Sequence, residues 1–188
     1  VYIAAYLYCR KLFNRHYAQN QNKENLHQMG INYKSAESLF NRLVKQIYEY
    51  TDQQLSEVSN TTSLHTGIMT GESSVVYTYL LLYKMTGNPE FTAYAKKHMT
   101  ILEKIWYMDI NYDMLSGNAG LIIACMHMYE ITGNMMYVTW AEDIAVWLLN
   151  KSVKQIQGIG WKIPECDYPL AGLAHGCSGF LMAFTRLY

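Results

Sequence analysis

The chain has 188 residues, of which 51% are hydrophobic and 16% are charged, so one domain, or part of one, is expected. With 15 basic and 15 acidic residues the formal net charge is zero, which argues against electrostatic docking on nucleic acid or on an anionic membrane. Three prolines and 14% aromatic residues argue against a disordered or low-complexity chain.

Neither a membrane span nor a disulfide framework is predicted. No stretch reaches the roughly 18 uninterrupted apolar residues that a spanning helix needs. The four cysteines are scattered and form no Cys-x-x-Cys pair, unlike the dense cysteines of small secreted domains. We therefore expect a soluble protein of a reducing compartment, which places it in the cytoplasm.

Most of the apolar pattern has the helical period. Three stretches carry one apolar stripe, as amphipathic helices do, at residues 40–47, 91–105 and 137–148. Three others are apolar on almost every side, at residues 75–82, 121–126 and 180–184. Their Leu, Met and Ala content favours buried helices over strands, and the chain has no Asn-Gly or Asp-Gly hairpin signal. The sequence therefore predicts an all-α fold.

The chain also repeats itself. The segment Thr70–Val75 matches Ser116–Leu121, 46 residues later, and a third copy begins a further 59 residues on, at His175. The first two copies continue into an apolar helix and then Thr-Gly-Asn, where Gly suits a helix C-terminus and Asn caps the next helix. Each repeat is thus predicted to be an αα-hairpin that stacks on its neighbours.

These repeats organise the whole chain. We expect one partial domain with repeats near 1–60, 61–110, 111–160 and 161–188. Stacked hairpins of this kind place apolar helices inside and amphipathic helices outside. They can close into an α,α-toroid or stay open as a solenoid, and the repeat pattern alone is compatible with both.

Two positions depart from the repeat pattern, and function tends to lie where local rules are broken. Thr70 and Ser116 are predicted to cap their helices, but the third copy has His175 there, and imidazole is a poorer cap. Asp113 stands three residues before Ser116, where the other copies have glycine. Each has a structural alternative, namely a histidine bonded within its turn and an aspartate in an Asx-turn. In a ring of equivalent helix starts both would face one cavity, as an acid–base pair needs.

Other candidate residues carry less weight. Cys177 follows a predicted helix start, where a thiol can be activated, but a small packing residue is the simpler interpretation. His98 lies on the apolar stripe of its helix and is predicted to be a core histidine. No HExxH, phosphate-binding or dinucleotide motif occurs, and no group of Cys and His offers three zinc ligands in one neighbourhood.

Three motifs form a distinctive combination. They are Asp-Met-Leu-Ser-Gly-Asn-Ala-Gly at 113–120, Gly-Ile-Gly-Trp at 158–161 and Ala-His-Gly-Cys-Ser-Gly at 174–179. In this order they resemble the cyclase domain of lanthipeptide synthetases, most closely the bifunctional class II enzymes and more distantly the stand-alone lanthionine synthetase C-like proteins. The resemblance covers the chain from about Ser63 to Tyr188.

The resemblance implies an α,α-toroid around a catalytic zinc. Its reaction, in lantibiotic biosynthesis, adds a cysteine thiol of a dehydrated precursor peptide to dehydroalanine or dehydrobutyrine and closes a thioether ring. The resemblance also implies acid–base roles for His175 and Asp113, which match the family's motifs. The family's zinc ligands come from later motifs, so we expect them beyond Tyr188 and assign no metal ligand here. The implied partners are the precursor peptide and the rest of the parent synthetase, and we expect the isolated chain to be inactive.

Two alternatives remain open. A catalytically inactive helical-repeat module would bind peptides with the same shape but without the chemistry. An α,α-toroid glycan-processing enzyme would need paired carboxylates across its cavity, and only Asp113 is well placed for that. Cys and Cys-His-Gly motifs after Tyr188 would favour the cyclase.

Overall fold

The structure, a computed structural model, describes residues 33–57, 65–164 and 166–188. The chain divides into two compact units, Val1–Ser59 and Asn60–Tyr188, which are described separately. The described part of the first unit is the helix α1 (Tyr33–Glu57), in which Phe40 and Thr51 are buried. Residues 1–32, about half of the first predicted repeat, lie outside the described residues.

The described part of the second unit consists of five helices and one small sheet. These elements are α2 (Glu72–Thr86), α3 (Pro89–Ile105), α4 (Asn118–Thr132), α5 (Met136–Asn150), β1 (Val153–Gln155), β2 (Gly158–Gly160) and α6 (Cys177–Leu187). α2 packs on α3 and α4 packs on α5, so both predicted αα-hairpins are present. The predominantly helical fold is confirmed.

The apolar helices form the inner part of this unit. α4 packs against both α2 and α6, and ten of its 15 residues are buried, among them Leu121, Ile122 and Cys125. α3 and α5 each bury a single stripe, in α3 through residues such as Phe91 and Leu102. Since tertiary burial supplies most of the stability of such helices, stacking holds α4 in place. Burial on every side is therefore confirmed for α4, and single buried stripes are confirmed for α3 and α5. The same prediction for residues 180–184 is wrong, because Leu181 and Met182 of α6 are 64% and 52% exposed.

The hairpin turns use the residues that the sequence predicts. Gly87 and Gly133 follow α2 and α4 with φ of 74° and 67°, the left-handed conformation that favours glycine. The asparagines that come next, Asn88 and Asn134, each accept a hydrogen bond of 3.0 Å from the backbone NH two residues on. The same turn thus folds α3 back on α2 and α5 back on α4.

The prediction that Thr70 and Ser116 cap the inner helices is wrong. The N-cap residues are instead the glycines one position further on, Gly71, Gly117 and Gly176, and no side chain caps these helices. The NH after each glycine donates to a backbone carbonyl seven residues earlier, as Glu72 does to His65 at 2.8 Å. The backbone of the tight loop thus supplies the acceptor for the first NH of each helix. A Cβ on any of these glycines would overlap the backbone of that loop.

A β-hairpin that the sequence analysis does not predict precedes α6. β1 and β2 pair antiparallel over three residues each. The turn lacks Asn-Gly and Asp-Gly, and the positive φ of 103° falls on Gly158, just after it. Trp161 then stacks on Phe180 with ring centroids 4.0 Å apart, and its Nε1 donates to the Leu148 carbonyl at 2.7 Å. The Gly-Ile-Gly-Trp motif therefore ties the hairpin to both α5 and α6.

Candidate active site

The loops that precede the three inner helices lie side by side in one register. The Met69 NH donates to the Leu115 carbonyl at 3.1 Å, and the Leu115 NH donates to the Ala174 carbonyl at 3.0 Å. These three residues are equivalent in the three copies, so the same bond recurs from one loop to the next. The residues that follow them are therefore neighbours too, and we call them the loop row: Thr70, Ser116 and His175.

Asp113 lies behind the loop row and bonds to two of its members. Its side chain is 3% exposed. One carboxylate oxygen, Oδ1, accepts the Ser116 NH at 2.7 Å, and the other, Oδ2, lies 2.8 Å from Nδ1 of His175. The local turn and the contact to the histidine, which the sequence presents as alternatives, therefore occur together. Because both oxygens are engaged, the carboxylate is held in one orientation.

His175 is the exposed partner of this pair. About 40% of its side chain is accessible to solvent. Since Nδ1 donates to the Asp113 carboxylate, Nε2 is the ring nitrogen left to exchange a proton at the surface. A buried carboxylate in this position fixes the imidazole tautomer and stabilises the imidazolium form. The arrangement can thus serve as a general acid and base.

A second buried carboxylate, Asp109, holds the loops together. Thr66 donates to its Oδ2 from the backbone NH at 2.7 Å and from the hydroxyl at 2.9 Å. Asn111 donates its NH to Oδ1 at 2.8 Å. Nearby, the Asn118 side chain donates to the Trp106 carbonyl at 2.8 Å. These residues were not predicted from the sequence. The available signal was polar side chains inside an otherwise apolar repeat, since such side chains are buried only when they are hydrogen-bonded.

The remaining candidates have structural surroundings. His98 is fully buried, with Nδ1 against Oε1 of Glu72, so the prediction of a core histidine is confirmed. Cys177 is half-buried at the start of α6, where its NH donates to the Leu170 carbonyl at 2.8 Å. Across residues 33–57, 65–164 and 166–188, no three His, Cys, Asp or Glu side chains come together in a way that could hold a metal ion. These residues therefore do not fit a catalytic zinc site, which needs three protein ligands.

These features define a class of protein, in which stacked αα-hairpins carry an aspartate–histidine pair at the starts of the inner helices. Residues 11–188 match the family described as lanthionine synthetase C-like protein. The chain therefore belongs to the lanthionine synthetase C-like family, whose fold is a helical toroid. No curated protein matches the chain at a significant level.

Family membership supports a lanthionine synthetase-type function and a peptide substrate in general terms. None of the helices within the described ranges is both long and apolar enough to cross a bilayer. The repeat boundaries and the catalytic roles of Asp113 and His175 remain predictions.

Proposed function

We propose that the protein is part of a lanthipeptide cyclase, which adds cysteine thiols of a dehydrated precursor peptide to dehydroalanine or dehydrobutyrine. The observation that supports this most is the 2.8 Å bond between buried Asp113 and exposed His175, in a chain of the lanthionine synthetase C-like family. The two residues lie 62 positions apart, and neither caps a helix. Helix capping therefore does not account for the pair, and a buried carboxylate beside an exposed imidazole supports an acid–base role.

The reaction transfers one proton and forms one carbon–sulfur bond. The thiol sulfur attacks the β-carbon of the dehydrated residue while the thiol proton passes to Nε2 of His175. The electrons of the carbon–carbon double bond move to the carbonyl group and form an enolate. The α-carbon then takes the proton from Nε2, which leaves a thioether and a neutral imidazole. Between the two steps, Asp113 stabilises the imidazolium.

A zinc ion, which would convert the thiol to a thiolate at neutral pH, is part of the proposal. Its ligands beyond Tyr188 are a prediction from the family resemblance. The described residues offer no ligand set for it, and no step above depends on it. The role in lantibiotic biosynthesis, the rest of the synthetase as a partner, a cytoplasmic location and the inactivity of the isolated chain are likewise predictions.

Replacement of the histidine tests the proposal. In the full-length protein, His175→Asn removes the proton carrier but keeps a short polar side chain, so ring closure should slow by about 10²–10⁴-fold. Asp113→Asn should also slow it. The double variant should be no slower than the slower single variant, because the two residues act as one unit. The measurement is the rate at which a dehydrated precursor peptide loses free thiols, followed by alkylation and mass spectrometry.

A histidine outside the site provides the matched control. His127 in α4 also pairs with a carboxylate, since its Nδ1 lies 3.1 Å from Oε2 of Glu130, and His127→Asn should leave the rate unchanged. The proposal is wrong if His175→Asn unfolds the protein or strips its zinc while Asp113→Asn has no effect. The pair would then be structural, and the helical-repeat peptide-binding module would become the better interpretation.

A further inference from the structure

The loop row carries two hydroxyl groups next to the histidine. Thr70 Oγ1 lies 3.1 Å from Ser116 Oγ, and Ser116 is followed in the row by His175. The Thr70 residue is exposed and Ser116 is half-buried, so both are accessible. Backbone groups close the starts of α2 and α4 without any side-chain cap. Capping therefore does not explain these hydroxyls.

The Ser116 hydroxyl has one hydrogen-bond neighbour among the described residues, the hydroxyl of Thr70. The Ser116 NH donates to Asp113 at 2.7 Å, and the Ser116 carbonyl accepts the Gly67 NH at 2.9 Å. The Ser116 Oγ lies 3.1 Å from Oγ1 of Thr70, whose hydroxyl also lies 3.3 Å from the Leu115 carbonyl oxygen. In the described part of the chain the half-buried Ser116 hydroxyl therefore bonds to no side chain other than Thr70, and it can donate to a substrate group on its open side.

A hydrogen-bond donor beside His175 would stabilise the negative charge that forms during the reaction. When the thiol adds, negative charge develops on the carbonyl oxygen of the dehydrated residue, at the same time as the α-carbon lies against Nε2 of His175. A fixed hydrogen-bond donor aimed at such an oxygen stabilises the transition state more than the substrate. Two hydroxyls in series also polarise each other, which strengthens the outer donor.

We infer that Ser116 is a further catalytic residue, whose hydroxyl donates to the enolate oxygen beside His175, and that Thr70 is a positioning residue that orients this hydroxyl. The inference rests on the proposed cyclase function. It assigns the substrate carbonyl to the side of the site that holds Ser116 and the substrate α-carbon to the side that holds His175.

Ser116→Ala in the full-length protein is the direct test. The bond to Asp113 comes from the backbone NH, so alanine removes only the hydroxyl. The kcat for ring closure should fall about 10²-fold, while KM changes little, because the bond strengthens only as charge develops. The shape of the pH–rate profile should stay as in the wild type, since Asp113 and His175 are intact. Ser116→Thr, which keeps a hydroxyl, should restore most of the rate.

Thr70→Val tests the positioning role, because it keeps the shape of the side chain and removes the donor. We expect kcat to fall on the order of tenfold or less, the size of one neutral hydrogen bond. In the Ser116→Ala background the same change should have no further effect. Thr100→Val is the matched control, since Thr100 is exposed and, within the described ranges, its hydroxyl bonds only to the Lys97 carbonyl in its own helix.

The outcomes separate this inference from the proposed function. If His175→Asn slows the reaction and Ser116→Ala leaves kcat within about twofold of wild type, the inference is wrong and the proposed function stands. If Ser116→Ala changes the pH profile or lowers thermal stability along with the rate, Ser116 acts through Asp113 or the fold, which also overturns it. If His175→Asn has no effect, the proposed function itself fails.

Discussion

The buried pair of Glu72 and His98 allows a quantitative test of what holds α2 to α3. The two side chains are 2% and 0% exposed, and Oε1 of the glutamate contacts Nδ1 of the histidine. His98 Nε2 has no hydrogen-bond partner among the described residues. The imidazole also stacks on Tyr79, with ring centroids 5.9 Å apart. Within the described part of the chain, the bond to Glu72 is thus the polar contact that compensates the burial of this imidazole.

Glu72→Leu removes that contact and should be strongly destabilising. Breaking a buried ionisable pair by deleting one partner costs about 3–5 kcal/mol, because the other partner stays buried with no compensation. Glu72 is also the acidic residue in the first turn of α2, a position worth only about 0.3–1 kcal/mol by itself. With a denaturant dependence of about 2 kcal/mol per molar urea, the urea midpoint should fall by about 2 M.

Tryptophan fluorescence during urea unfolding is the appropriate assay, because all four tryptophans lie between residues 106 and 161, in the second unit. Glu90→Leu is the matched control, since Glu90 is the exposed first-turn acid of α3. It should cost less than about 1 kcal/mol. The double variant Glu72→Leu with His98→Leu should be more stable than the sum of the single effects predicts. Equal costs for Glu72→Leu and Glu90→Leu, or strict additivity, would refute the reasoning.

Two further predictions concern pH and packing. Burial lowers the pKa of His127 below 6.5, with partial opposition from its bond to Glu130. The unfolded chain therefore binds this proton more readily, so the free energy of unfolding should fall as the pH drops through about 6.5. His127→Asn should flatten this part of the curve, and an unchanged slope would contradict the assignment. Gly120→Ala would place a Cβ 2.5 Å from the Met114 carbonyl oxygen and should cost about 1–3 kcal/mol in urea unfolding. In Gly172→Ala the new Cβ enters open space, so the free energy of unfolding should stay within about 0.5 kcal/mol of wild type. Equal losses of stability in the two variants would contradict the prediction, because the atoms around Gly120 would then move aside at little cost.

The helices and their turns were predictable because they depend on local chemistry. An apolar run such as that of α4 signals burial on every side, and Thr-Gly-Asn signals a left-handed C-terminal glycine followed by a cap. The β-hairpin was missed because its positive φ falls on Gly158 rather than on an Asn-Gly or Asp-Gly turn. The predicted N-caps were wrong by one residue because the first NH of each inner helix donates to a backbone carbonyl seven residues earlier. No residue type in the sequence indicates such a backbone contact.

For the site, the sequence by itself determined which residues break the repeat pattern, and its motifs indicated the family. Asp113 and His175 could be singled out in this way because three copies of one turn make any substitution visible. Only the tertiary structure decided that Oδ2 and Nδ1 lie 2.8 Å apart, because that distance depends on how one loop bonds to the next in register. The same stacking places Thr70 against Ser116 and buries Asp109 between loops. Contacts between equivalent positions of different repeats are invisible in a linear pattern, since they arise only when the hairpins stack to bury their apolar helices.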